Sequence, residues 1–149
     1  MQNNSKIILS STNYPYYFNI LELKNNSNSQ FDVQPNPAGG VVTLYVNSIV
    51  GDKFNGNQTI NSGRPFNFRM FYLGSNTLTL DGNASMNAGL VAPNASLSES
   101  GTFDFNGAIL AKRLLLNGAG NIHYDESLAG NGEVNDTQYR LRELIQFYR

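Results

Sequence analysis

The chain contains no cysteine, no tryptophan and a single histidine. The absence of cysteine excludes disulfides, thiolate zinc sites and cysteine nucleophiles. Charged residues are also scarce, at 14% of the sequence, against about a quarter in typical globular proteins. A net charge of −1 provides neither the broad basic surface that binds nucleic acid nor a strongly acidic one that attracts cations.

Long apolar runs are missing as well. No segment approaches the roughly 20 consecutive apolar residues of a membrane-spanning helix, and no signal peptide follows Met1. We therefore expect either a cytoplasmic protein, if the sequence is complete, or a piece of a longer exported chain.

Asparagine and glycine are abundant instead, with 22 and 14 copies among 149 residues. Both residues favour turns and disfavour helix interiors, whereas the 40% hydrophobic content still permits a packed core. The length fits one domain, residues 1–149. These features together predict an all-β fold of many short strands joined by turns.

The first part of the chain, residues 1–40, is expected to be an irregular cap with some β structure. The alternating run over residues 14–24 (YPYYFNILELK) predicts a strand within it. A stronger strand prediction covers residues 41–46 (VVTLYV), which are rich in β-branched and aromatic side chains. From there to residue 128 the sequence becomes periodic.

The repeat is marked by glycines, because Gly63, Gly82, Gly101 and Gly120 recur with a constant period of 19. Aligning the segments places similar side chains in shared columns. These columns are Leu78, Leu97 and Leu116; Phe71, Leu90 and Ile109; Leu73, Ala92 and Ala111; Ala84, Phe103 and Ile122; and Met86, Phe105 and Tyr124. A fixed repeat of roughly 20 residues is typical of a stacked solenoid.

The turns fall into register with the same period, for example Lys112–Arg113 with Pro93–Asn94. Each unit is predicted to contain three short strands, such as 84–86, 89–92 and 95–98. Residues 41–128 would then form a three-faced β-solenoid of about 19 residues per coil, right-handed by the usual preference for parallel crossovers. Within a strand, alternation predicts that Phe103 and Phe105 face inward and Asp104 outward.

Two segments depart from this regularity. Phe66 and Phe68 are one residue late in the alignment, which predicts a one-residue insertion at Arg64–Pro65. Residues 135–149 follow a helical pattern, with an apolar stripe formed by Leu141, Leu144, Ile145 and Tyr148 and an N-cap at Asn135 or Asp136. We expect this helix to cap the open end of the solenoid, which would otherwise expose unpaired strand edges.

Three runs carry a resemblance to a known family: VTLYVNSI, TLTLDGNASMNAGLVAPNASL and FDFNGAILAKRLLLNGAGNIHYDESL. Over about residues 41–128 they resemble the β-solenoid module in the C-terminal regions of PilX-like type IV pilus assembly proteins and minor pilins. The closing IHYDESL is the most specific part. The resemblance implies a cell-surface, non-enzymatic role, although the apolar N-terminal helix of pilins has no counterpart here.

The residues that most suggest chemistry are the consecutive His123, Tyr124, Asp125 and Glu126. In the repeat alignment Tyr124 faces the core and His123 faces outward, so the two cannot share one site. Acidic residues within the coils lie on different turns, which disfavours the paired carboxylates of a glycosidase. We therefore predict no catalytic, cofactor-binding or metal-binding residues and no cofactor.

The function predicted from the sequence is a non-enzymatic structural or adhesive module at the cell surface, associated with a type IV pilus. Its partners would be other pilus or appendage subunits, or a surface ligand such as a glycan. We expect no nucleic-acid partner, because the basic residues are few, and membrane attachment only through a segment outside this chain. Two alternatives stay open: a self-assembling polymer subunit of the bactofilin type, and a β-helix that binds or cleaves carbohydrate.

Overall fold

The structure is a computed structural model that describes residues 6–10, 16–23, 30–34, 41–49, 53–54, 59–60, 64–83, 85–126 and 128. Strands account for most of these residues, and a 3₁₀ turn spans Pro65–Asn67. The strands are β1 (Lys6–Ser10), β2 (Tyr16–Leu23), β3 (Gln30–Gln34), β4 (Val42–Ile49), β5 (Lys53–Phe54), β6 (Thr59–Ile60), β7 (Phe68–Tyr72), β8 (Leu78–Leu80), β9 (Ser85–Glu99), β10 (Asp104–Leu116) and β11 (Ile122–Tyr124).

All pairs among these strands are parallel, and they form one sheet. The main path runs β1-β3-β6-β9-β7-β4-β2, while β10 lies between β9 and β11, and β8 between β5 and β9. The all-β class predicted from the composition is confirmed. So are strands within residues 14–24 and 41–46, since β2 and β4 occupy them. The parallel pairing also reaches β1, β2 and β3, ahead of residue 41.

The long strand β9 shows how consecutive turns of the chain stack. Along one edge it pairs with three separate strands: β6 at its start, β7 in its middle and β8 at its end. Along the other edge it pairs with β10 over nearly its whole length. The three short strands predicted at 84–86, 89–92 and 95–98 are therefore one continuous strand. Its neighbours on the N-terminal side of the chain are three separate strands, β6, β7 and β8.

Burial alternates along β9 and changes phase once. The buried residues in the first part of the strand are Met86, Ala88, Leu90 and Ala92, and those in the last part are Ala95, Leu97 and Glu99. Pro93 and Asn94, between the two parts, are exposed. The predicted corner at these two residues thus lies where the inward-facing parity shifts by one. The predicted arrangement of the next strand is also confirmed, because Phe103 and Phe105 are fully buried and Asp104 is exposed.

The core consists of inward-facing apolar side chains from successive strands. It comprises Val42, Leu44, Val46, Ile49, Phe68, Met70, Tyr72, Leu78, Leu80, Met86, Ala88, Leu90, Ala92, Ala95, Leu97, Phe103 and Phe105. Each large member is expected to contribute about 1.5–3 kcal/mol to folding through its burial. These residues alternate with outward-facing residues along each strand, so the parallel pairing of the strands also brings the inward-facing side chains together in one core.

The sequence separation between paired positions is not constant at 19. It is 26 where Val42 pairs with Phe68, and 19 where Leu78 pairs with Leu97. It falls to 17 where Phe105 pairs with Ile122. The period read from the glycines therefore describes the middle of the chain, and the separation decreases toward the C-terminal end.

Some predicted columns are correct and others are wrong. The pairs Leu78–Leu97, Leu90–Ile109, Ala92–Ala111 and Met86–Phe105 are confirmed. The separation between β9 and β10 then drops from 19 to 17 between Ala111 and Arg113. As a result Leu97 lies opposite Leu114, and the predicted place of Leu116 in that column is wrong.

The same shortening displaces the last strand. Ile122 lies opposite Phe105, two residues from the predicted Phe103, and Tyr124 lies opposite Gly107. The displacement of β11 is caused by the corner at Lys112–Arg113. One residue lies between Ala111 and Arg113, whereas three residues, including Pro93 and Asn94, lie between their partners Ala92 and Ser96.

Earlier in the chain, a stretch is longer than the corresponding part of β9 rather than shorter. Nine positions separate Ile60 from Arg69 in sequence, whereas three separate their partners Met86 and Gly89. The insertion at Arg64–Pro65 is therefore six residues rather than the predicted one, and the 3₁₀ turn lies within it.

A separate, one-residue difference overturns two further column members, because the separation from β9 is 20 at Met70 and 19 at Leu78, which places one extra residue between β7 and β8. Phe71 lies opposite Val91, and Met70 takes the predicted place opposite Leu90. Leu73 is about half exposed (49%), so it does not share the inward column of the buried Ala92. Ala84, Gly63 and the helix predicted over residues 135–149 lie outside the described residues.

Candidate functional site

The residues that the sequence singles out lie on β11 and the turn after it. His123 is exposed, as predicted, and its Cα partner on β10 is Asn106. Tyr124 is 58% exposed, so its predicted burial is wrong. The physical reason is its position opposite Gly107, which offers no side chain to pack against, on a strand whose described neighbour is β10 alone.

Backbone hydrogen bonds hold the segment after β11 against the preceding strand. The Asp125 amide donates to the Gly107 carbonyl at 3.1 Å, and the Leu128 amide donates to the Asp125 carbonyl at 3.1 Å. Glu126 is exposed in the turn. Within the described part of the chain, no group of three or more histidine, cysteine or acidic side chains is arranged to hold a metal ion. The segment is thus tied into the sheet through its main chain.

A different acidic residue occupies the most unusual environment. Glu99, the last residue of β9, is 2% exposed, and its Oε2 accepts a hydrogen bond from the Gly118 amide at 2.8 Å. Its Oε1 is buried without a hydrogen-bond partner. The carboxylate packs against Gly118 and Gly120, because a Cβ atom added at either glycine would fall within 2.7 Å of Oε1.

We call residues 117–121 (NGAGN) the glycine loop. Its main chain runs along the corner formed by the preceding turn: the Asn117 amide donates to the Glu99 carbonyl at 3.2 Å, and the Ala119 amide to the Gly101 carbonyl at 2.7 Å. Asn117 Nδ2 donates to Ser98 Oγ at 3.4 Å. The glycine loop therefore covers Glu99 on the inside and contacts Ser98 on the outside.

Sequence reasoning did not identify Glu99 as a special residue, although a signal was present. Ala95 and Leu97 face inward, and the alternation of a strand places the next inward side chain at Glu99. In the sequence, the glycines that follow are explained by turn formation alone. In the structure they also provide the space that the carboxylate occupies.

Polar side chains link successive corners on the outer surface. Asn121 Nδ2 donates to Asp104 Oδ1 at 3.0 Å, and the Thr102 hydroxyl donates to Asn83 Oδ1. Gly82 and Gly101 have positive φ values of 80° and 85°, which suit glycine, and their main chains stack closely. These links stabilise the corners.

The outer face of β4 and β7 carries an aromatic pair. Tyr45 and Phe71 stack with ring centroids 4.9 Å apart and an interplanar angle of 20°. Both rings are half-buried. Next to them, Arg69 extends its Cγ to within van der Waals distance of the position that a Cβ would take at Gly89.

The basic residues expected at a corner are found there. Lys112 and Arg113 are both exposed, at the point where the separation between β9 and β10 changes. Arg140, Arg142 and Arg149, the basic residues further along the chain, lie outside the described residues.

The architecture defines the class of protein: an all-β domain built on one parallel sheet whose buried side chains form an apolar core. The chain belongs to the family described as Domain of unknown function (DUF7305), which matches residues 20–131. No curated protein and no solved structure is significantly similar to it. Among the residues that the structure describes, no helix has the length and apolar character needed to cross a membrane.

Proposed function

We propose that residues 41–128 form a right-handed, three-faced β-solenoid capped by a helix over residues 135–149. The pairing of β9 with β6, β7 and β8 in turn supports three faces. The single phase change at Pro93–Asn94 supports a corner between two of them. Right-handedness follows from the preference of parallel crossovers.

We propose that this solenoid is a non-enzymatic structural or adhesive module of a type IV pilus-associated protein, similar to a minor pilin. The observation that carries the proposal is the segment IHYDESL, the most specific part of the resemblance to pilus assembly proteins. Its main chain is bonded to β10 directly after the terminal strand β11. A stack of parallel strands with a packed apolar core suits a rigid spacer.

The partners in this proposal are other subunits of the appendage or a surface ligand such as a glycan. The location is extracellular, at the cell surface. The surface that would make such contacts is mixed: the exposed side chains of β10 are charged or apolar, and those of the glycine loop include the polar amides Asn117 and Asn121. The exposed residues of β10 are Asp104, Lys112, Arg113, Leu114 and Leu116. Protein interfaces commonly combine apolar contacts with hydrogen bonds in this way.

The test is immunogold electron microscopy of the bacterium that encodes the chain, with antibodies raised against the purified protein. The proposal expects gold particles along or at the tips of pili, and loss of labelling and of pili or pilus-dependent adhesion when the gene is deleted. A strain complemented with the intact gene is the control. Labelling confined to the cytoplasm, or unlabelled pili that are unaffected by the deletion, would overturn it.

Two measurements on the purified protein separate the alternatives. Ordered filaments seen by negative-stain microscopy would favour a self-assembling polymer subunit of the bactofilin type. Release of products from a polysaccharide would favour a carbohydrate-cleaving β-helix. Either result would count against a capped, non-enzymatic module.

A further inference from the structure

We propose that Asn117 and Gly118 form a self-modification site, at which Glu99 promotes cyclisation of the asparagine to a succinimide and its conversion to aspartate or isoaspartate. The proposal concerns the chemistry of the glycine loop and does not depend on the proposed pilus function. It requires no ligand other than water.

The nucleophile of this reaction is the backbone nitrogen of Gly118, which must lose its proton to attack. In the structure that N–H donates to Glu99 Oε2 at 2.8 Å. Glu99 is held in this place by burial, since the residue is 2% exposed. A carboxylate fixed at hydrogen-bond distance from the proton to be removed meets the geometric requirement for a general base.

The electrophile is Cγ of Asn117, in the residue that precedes the nucleophile. Asn117 is exposed, and Nδ2 of its amide donates to Ser98 Oγ at 3.4 Å. The nitrogen that must leave therefore contacts a hydroxyl group, while the attacking nitrogen contacts a carboxylate. Because residue 118 is glycine, no side chain obstructs the approach of the two atoms.

The bonds balance without an oxidant or reductant. The Gly118 nitrogen forms a bond to Asn117 Cγ and transfers its proton to Glu99 Oε2. The bond from Cγ to Nδ2 breaks, and the nitrogen leaves as ammonia after taking up, through a water molecule, the proton that Glu99 received, so that the carboxylate is regenerated. Water then opens the five-membered ring at either carbonyl, which yields aspartate or isoaspartate.

The chain contains a matched comparison in Asn106–Gly107. This pair has the same two residues, but it lies within β10 with β9 on one side and β11 on the other. Gly107 is buried and has a φ of 142°. Cyclisation there would require the central strand of three to leave the sheet, so we expect Asn106 to stay intact while Asn117 reacts.

The experiment incubates the full-length protein at neutral pH and follows each asparagine by peptide mapping and an isoaspartate assay. We expect conversion at Asn117 and none at Asn106 over the same period. Glu99→Gln, which keeps the shape and a hydrogen-bond acceptor, should slow conversion at Asn117 by about tenfold or more, since general bases typically contribute at least 10²-fold. Glu126→Gln, which removes an exposed carboxylate in the turn after β11, should leave the rate unchanged.

A second measurement does not depend on whether the Glu99→Gln protein folds. The wild-type chain is incubated both folded and in denaturing urea, where Glu99 no longer contacts Gly118. We expect Asn117 to convert faster in the folded protein. Equal or slower conversion in the folded state, or an unchanged rate in a folded Glu99→Gln protein, would overturn the proposal.

Discussion

Tyr45 stacks on Phe71 across the neighbouring parallel strands β4 and β7, with ring centroids 4.9 Å apart. The two residues are Cα partners in the sheet, so the register of the strands fixes the contact. Both rings are on the outer surface, and the contact is therefore separate from the apolar core. It provides a direct measure of how much the outer face contributes to the stability of the stack.

We predict that Tyr45→Ala and Phe71→Ala destabilise the protein non-additively. The coupling between the rings should be about 0.5–1.5 kcal/mol, the range for aromatic pairs beyond their area of burial. Chemical denaturation of both single variants and the double variant measures it. As a control, Tyr17→Ala combined with Phe71→Ala should be additive within about 0.5 kcal/mol, because Tyr17 lies two strands away on β2. Additivity at Tyr45 and Phe71 would contradict the stacked geometry.

Gly107 and Gly89 offer a matched pair of glycine-to-alanine substitutions. At Gly107 a methyl group would clash with the Ala88 main chain, and the φ of 142° is unfavourable for alanine. We expect Gly107→Ala to cost about 3 kcal/mol or more, since such backbone positions alone cost about 1–3 kcal/mol. At Gly89 the nearest atom is Arg69 Cγ at 3.8 Å, so Gly89→Ala should change the free energy of unfolding by less than about 1 kcal/mol. Similar losses in thermal or urea unfolding for the two variants would show that the close approach at Gly107 is wrong.

The shortened separation at the C-terminal end can be tested by engineered disulfides, because the native chain has no cysteine. Asn106→Cys with His123→Cys joins directly opposed Cα positions, and strands about 4.8 Å apart are within the range that a disulfide spans. We expect rapid oxidation of this pair. Asn87→Cys with Asn106→Cys, also opposed, is the positive control.

A register that kept the separation at 19 predicts a different pair. It would place Asn106 opposite Asp125, whereas the structure makes these residues diagonal neighbours about 7–8 Å apart. Asn106→Cys with Asp125→Cys should therefore oxidise slowly. Gel shift and mass spectrometry under air oxidation distinguish the outcomes, and faster oxidation of this second pair would restore the constant repeat.

The predicted cap can be tested in the full-length chain. Leu114 and Leu116 at the end of β10 are 42% and 62% exposed, and the helix predicted over residues 135–149 has an apolar stripe suited to this end. We expect Leu141→Asp to expose apolar surface and promote self-association. Gln146→Asp, on the opposite face of the predicted helix, is the matched control. Sedimentation velocity measures both, and equal behaviour of the two variants would count against a capping role.

The class of fold and the central turn could be predicted from the sequence, for clear reasons. The side chains of β9 alternate between buried and half-buried positions, and Pro93–Asn94 interrupts the alternation at a corner. Phe103 and Phe105 then restart it. Period-two patterning with turn residues at the phase changes is local information, and local information is what a single sequence carries best.

The register between neighbouring strands was harder to predict from the sequence. A shift of two residues leaves every side chain on the same face, because the strand period is two. A separation of 17 therefore satisfies the same inward and outward pattern as one of 19, and the consecutive leucines from Leu114 to Leu116 fit both. The extra residue between β7 and β8 was hidden for a different reason, because Met70 and Phe71 are both apolar and either suits the position opposite Leu90.

The environment of Glu99 was also difficult to foresee. Its inward orientation follows from alternation, but a buried carboxylate is rare unless a partner supports it. That partner is the Gly118 amide, whose position depends on the shortened corner at Lys112–Arg113. The site thus depends on a long-range register that the sequence pattern left undetermined.

In the solenoid proposed above, the separation of paired residues is the number of residues in each coil, and this number is smallest at the C-terminal end. It is 24 for the early pair Lys6 and Gln30 and 29 for Phe31 and Ile60, but only 17 for Phe105 and Ile122. A second copy added end to end would have to pair a longer coil with a shorter one. The mismatch would leave backbone groups without partners at the joint. We therefore expect the unequal coils to discourage fibre growth along the axis of the proposed solenoid.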